Sequence, residues 1–333
     1  KQVFNASMSG TEIEEIYKVF NYALKMQKDL EAIVYGIDFL TFSDKRTIKK
    51  QFYESLYNDE GSQIKAYLRV LFSMKALEDS VNTIIKNIRL EPAIVTDGYI
   101  SKENTDINHR KLFRGILEDN FLVGRETYGC YNYDSKRMQK FGDMLSSAAQ
   151  RGITIYLFIS PLHARHYYTL KILGLTNEYK SWIIELVREV EKVRQEHNAD
   201  IYLWDFGGFN PVTTEAIPDN EKTKMSFYWE SAHYKKLVGS IILKTMKSRT
   251  QQIPGFGALL TEDKAANRLY LLESGLREYM EQNHEEVEEI DDLYRSTSKS
   301  RIKNCPERII PQSRQTQTGA EERSQSEGLL ADT

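Results

Sequence analysis

GITIYLFISPLHAR, residues 152–165, is the stretch whose reading decides the fold. Gly152 stops the helical stretch that precedes it, and Ile153 to Ile159 is a mostly apolar run of strand length. Such a run, bounded by punctuating residues, reads as a strand buried on both faces. Ser160-Pro161-Leu162-His163-Ala164-Arg165 then gathers polar side chains at its carboxyl end. Helical spacing precedes it from about Ser135 to Gln150 and follows it from about Glu178 to His197, after which Asp200 to Phe206 reads as another strand. This alternation predicts an α/β chain: a doubly wound parallel sheet flanked by helices, a flavodoxin-like three-layer sandwich, with ligands beyond the carboxyl ends of the strands.

Upstream, Gln2 to Asn5 reads as a short strand, Thr11 to Lys28 as an amphipathic helix capped by Ser9 or Thr11, and Ala32 to Phe39 as a second strand, together a βαβ unit. Residues 46–90 read as two helices broken near Asn58-Asp59-Glu60-Gly61. Residues 91–133, rich in Gly, Asp, Asn and Tyr, read as an insertion over one end of the sheet. Downstream, MSFYWESAHYKKLVGSIIL, residues 225–243, carries an aromatic run into Glu230-Ser231-Ala232-His233 and then apolar residues at helical spacing. The main domain therefore spans 1–283, and 284–333 is an acidic segment followed by a polar tail that composition marks as disordered from about Ser296.

With 333 residues, 41% of them hydrophobic, the chain suffices for a large core. Its net charge of −3, with acids and bases interspersed, excludes the basic stripe of a nucleic-acid binder. Cys130 and Cys305 have no zinc-ligand spacing and indicate no disulfide framework. No apolar run reaches the roughly 20 residues that span a bilayer. The chain opens on Lys1 with a strand already in progress, which implies a preceding segment.

Under this topology Asn5 to Gly10, Gly36 to Phe39, Ser160 to Arg165 and Glu230 to His233 meet at one sheet edge. An acid three residues before a histidine lets one carboxylate hold one imidazole, as a general base requires; the alternative is that both merely cap a helical turn. Asp38 is read either as a cap or as an oxyanion-side group. Ser160, His163 and Arg165 either contact substrate or close a strand-end loop by local bonds, and Ser160 is also a candidate substitute nucleophile. Asp205, at the end of its strand, is placed to line the cleft. His163 and His166 could join His233 on a metal, but no carboxylate spacing completes a ligand set, so neither metal nor cofactor is expected.

The order NASMSG (5–10), GID (36–38) and a late acid-x-x-His resembles the SGNH (GDSL-like) hydrolase superfamily. It is most similar to the membrane-anchored bacterial branch related to alginate O-acetylation proteins and the D-alanyl-transfer protein of teichoic-acid synthesis. ISPLHAR, WDFGGFNPVTTE and FYWESAHY resemble segments of that branch, and the resemblance covers roughly residues 1–280. It implies His233 as catalytic base, Glu230 as its orienting acid in place of the usual Asp, Gly10 as an oxyanion-hole donor, and Asp38 where an oxyanion-binding Asn normally sits. It further implies a nucleophilic Ser upstream of residue 1, so that the parent would be an esterase or O-acyltransferase and this chain alone inactive. Substrate contacts are expected at Asn5, Ser160, His163, Arg165 and Asp205. The substrate would be an acylated cell-envelope glycan or small ester, handled outside the cytoplasm by a membrane-anchored parent. The alternative is a non-catalytic glycan-binding or assembly module.

Overall fold

The computed structural model describes residues 3–8, 10–49, 52, 57, 63–89, 107–122, 126–220 and 223–301. These belong to one compact unit; a second, residues 303–333, lies outside the described residues, and of the tail read as disordered from about Ser296 the described part, 296–301, is helical.

The sheet has three parallel strands, β1 (Ala32–Ile37), β2 (Thr154–Ile159) and β3 (Ile201–Asp205), in the order β1-β2-β3. A short antiparallel β6 (Ala258–Leu259) follows on β3. A second, two-stranded sheet pairs β4 (Tyr228–Glu230) with β5 (His233–Tyr234). The chain is therefore α/β with a mostly parallel central sheet, as the alternation predicted. The parallel strands follow chain order, however, so the reversal of order that defines double winding is not present among the described strands.

Side-chain alternation assigns the faces. Ile155, Leu157, Ile159, Ile201 and Leu203 point into one core, and Phe158 and Trp204 into another. The first core is closed by α1 (Ile13–Met26), α5 (Ser135–Ala149), α7 (Thr176–His197) and α9 (Glu262–Gln282). The second is closed by α8 (Lys236–Ser248) through Val238, Ile242 and Met246. Continuous apolar strands need cover on both faces, and the helices supply it. Gly36 of β1 sits opposite Phe158, whose ring a Cβ at that position would meet at 2.8 Å; the glycine is what lets the aromatic lie flat across the ladder.

The expected strand Gln2–Asn5 does not form among the described residues. Val3 to Asn5 are irregular, and Val3 and Phe4 are exposed, because no neighbouring strand offers a ladder to satisfy their backbone. Helix α1 is capped by Glu12, not by Ser9 or Thr11. Glu12 accepts from the Glu15 amide at 3.0 Å, Glu15 answers at 2.8 Å, and Arg137 pairs with Glu12 at 2.8 Å.

Between β1 and β2 lie α2 (Gln63–Leu71), α3 (Met74–Ile88) and α4 (His109–Ile116). Within the stretch read as an insertion, residues 91–106 lie outside the described residues. Beyond them Phe113, Leu117, Leu122 and Tyr128 are core residues. The acid-rich stretch after 283 continues as helix α10 (His284–Arg301), with Ile290 and Leu293 in the same core as the sheet. Cys130 is buried.

Candidate functional site

The strand register builds the site. Ile37 pairs with Ile159, and Ile159 with Asp205, so the three parallel strands end level. The next residues of β1 and β2, Asp38 and Ser160, therefore emerge side by side. The Ser160 amide donates to the Ile37 carbonyl at 3.1 Å, which ties the two strand ends together.

The hairpin β4–β5 is bolted onto this edge at two points. Tyr228 Oη donates to the Pro161 carbonyl at 3.0 Å, and the His163 amide donates to the Ser231 carbonyl at 2.9 Å. A third tie comes from α4. The Met225 amide donates to His109 Nε2 at 3.2 Å, which leaves Nδ1 as the protonated nitrogen, and that donates to the Trp229 carbonyl at 3.0 Å.

Glu230 and His233 lie on this hairpin, not in the first turn of a helix as the apolar spacing after them suggested; α8 begins only at Lys236. They are cross-strand partners across the two-residue turn Ser231-Ala232. Glu230 Oε1 contacts His233 Nδ1, and Oε2 accepts from the Ala232 amide at 2.7 Å. The Glu230 side chain is only 6% exposed and that of His233 70%. A buried carboxylate thus fixes one nitrogen of an imidazole that faces solvent, which is the arrangement a general base needs.

Charge joins the pieces. Burial among the surrounding side chains pushes the Asp38 carboxyl above its usual range, while the Ser160 hydroxyl and the nearby His233 and Arg46 pull it back. The Asp38 residue as a whole is nevertheless exposed, and water there screens the rise. Burial and the Asp38 charge together push the Tyr234 hydroxyl up to about 12. Asp38 thus feels the charges of His233 and Arg46, and Tyr234 feels that of Asp38.

The other expected site residues lie elsewhere in the bonding. Gly10 has φ +62 and its carbonyl accepts from Arg46 at 2.5 Å, so Arg46 links the Gly10 turn to the Asp38 cluster. Asn5 caps the Ser7 amide at 3.0 Å in an exposed loop. His163 is buried, its Nε2 bonded to the Glu215 carbonyl at 2.8 Å, and burial pushes its imidazole down to about 4. Arg165 is buried and pairs with Glu289 of α10 at 2.9 Å. Asp205 is buried too, accepting from the Gly207 amide at 2.7 Å and pairing with Arg268 of α9 at 2.6 Å. Each of the three thus has a polar partner inside the protein, while Arg165 Nη2 is buried without one. Buried His166 rests edge-on against Tyr128, their ring centroids 4.8 Å apart. Among the described residues no His, Cys, Asp and Glu cluster could hold a metal ion.

Sequence reasoning passed over Arg46, Tyr228 and His109. Tyr228 was legible only as one of an aromatic run, and no local pattern announces Arg46 or His109.

No family model, no curated protein and no solved structure matches this chain.

Proposed function

We propose that this chain carries the acid–histidine half of an acyl-ester site of the SGNH type, in an esterase or O-acyltransferase acting on an acylated cell-envelope glycan or a similar ester. One observation carries the reading: buried Glu230 holds Nδ1 of exposed His233 beside Asp38 and Ser160. A serine hydroxyl attacks the acyl carbon while His233 accepts its proton, and the carbonyl π electrons move onto oxygen. Collapse of that intermediate expels the alcohol, which takes the proton back from His233. Water or an acceptor hydroxyl then repeats the sequence on the acyl-enzyme. Glu230 holds the ring and favours the imidazolium that forms. Ser160, directly after β2, is the candidate nucleophile among the described residues.

A second reading, a glycan-binding or assembly module without catalysis, draws on Asp38. The resemblance puts Asp38 where an oxyanion-binding Asn normally sits, and a carboxylate there would repel a developing oxyanion.

Fluorophosphonate labelling decides between them, applied to the longest natural form of the chain and to its His233→Ala variant, with mass spectrometry to name the labelled serine. Labelling that His233→Ala abolishes supports the acyl-ester reading. A folded protein that never labels supports the binding module.

A further inference from the structure

We propose that α2 and α3 form a docking element for an anionic lipid surface. On α2, Ile64, Tyr67, Leu68 and Leu71 recur at helical spacing, and Met74, Leu77, Val81, Ile84, Ile85 and Ile88 do so on α3. All are exposed: Met74 is 80% exposed, Ile88 77% and Ile64 72%, and Phe72, at the junction, is 83% exposed. Of the 21 large apolar side chains exposed among the described residues, 11 fall within these 25 or so positions. Scattered singly such side chains are ordinary; gathered into one stripe they mark a surface that something apolar covers.

Charge selects the occupant. Residues 63–89 hold five cations, Lys65, Arg69, Lys75, Lys86 and Arg89, against two anions, Glu78 and Asp79. Their net charge of +3 stands in a chain of net −3, which leaves −6 for the remainder. A second copy of the chain is disfavoured, because a two-fold interface would set +3 against +3. An anionic bilayer offers apolar depth to the stripe and negative headgroups to the cations, while it repels the rest of the molecule. At 9 and 15 residues, neither helix is long and apolar enough to cross the membrane, so they lie in its interface.

Flotation of the whole chain with phosphatidylcholine vesicles, with and without phosphatidylglycerol, tests the proposal. Binding is expected only with the anionic lipid, and it should weaken as salt rises. It should fall by about tenfold or more in Phe72→Glu or Ile84→Glu, since each removes one buried apolar side chain. Leu237→Glu, an exposed apolar residue on α8, should leave binding unchanged. Hydrogen exchange on the unaltered chain gives a second readout that needs no variant: vesicles should protect 63–89 and little else. Equal binding to neutral and anionic vesicles, binding that survives both glutamate substitutions, or protection centred elsewhere would each overturn it. So would a dimer in solution that the same substitutions dissolve without any vesicle binding.

Discussion

The carboxylate of Glu230 and the imidazole of His233 clasp each other across a two-residue hairpin turn, the acid buried and the base in water. Because a carboxylate only accepts, the proton of the neutral ring belongs on Nδ1. Glu230→Ala removes that lock and strips the Ala232 amide of its acceptor. The neutral ring should then shift toward the Nε2-protonated tautomer, read by nitrogen NMR of labelled His233. If the site turns over acyl esters, hydrolysis of an aryl acetate should drop by about a hundredfold or more. An unchanged tautomer would show that Glu230 does not hold the ring.

His163 links stability to pH. Burial depresses its folded-state value to about 4, below the roughly 6.5 of an unfolded histidine. The stability it contributes is complete above the unfolded value and is lost as pH falls from about 6.5 towards 4, because only the unfolded chain takes up that proton there. Urea unfolding at pH 7 and pH 4.5 should therefore show lower stability in acid. His163→Asn, which cannot titrate, should flatten the slope by close to one proton. A slope that His163→Asn leaves unchanged would assign the acid sensitivity to other groups.

Asp205 and Arg268 form the buried pair that pins α9 to the end of β3. Arg268 Nη2 also donates to the Gly207 carbonyl at 2.8 Å. Arg268→Ala would leave a buried carboxylate without its countercharge and should destabilise the protein by about 3–5 kcal/mol. Thermal unfolding should register this as a large fall in midpoint, while Arg268→Lys, which keeps charge but loses the fork, should fall between. An alanine variant with unaltered stability would mean that water replaces the arginine.

Ile153 to Ile159 and Ile201 to Asp205 were legible as strands, because mostly apolar runs of that length demand cover on both faces and the flanking helical periods provide it. Glu230 and His233 were legible as a pair but not as a hairpin. A spacing of three satisfies a helical turn and a two-residue turn equally. Only tertiary bonds, Tyr228 to Pro161 and the Lys235 amide to the Phe227 carbonyl at 2.7 Å, decide between them. His163, Arg165 and Asp205 carry polar chemistry that sequence shows, but not their partners: Glu215, Glu289 and Arg268 lie 52, 124 and 63 residues away. The sequence by itself determined the alternation of helix and strand and the acid–histidine pair, since both rest on short spacings. Tertiary structure alone decided that this pair rides on a hairpin with its acid buried and its base exposed, because long-range bonds, which no local pattern encodes, dock the hairpin on the sheet edge.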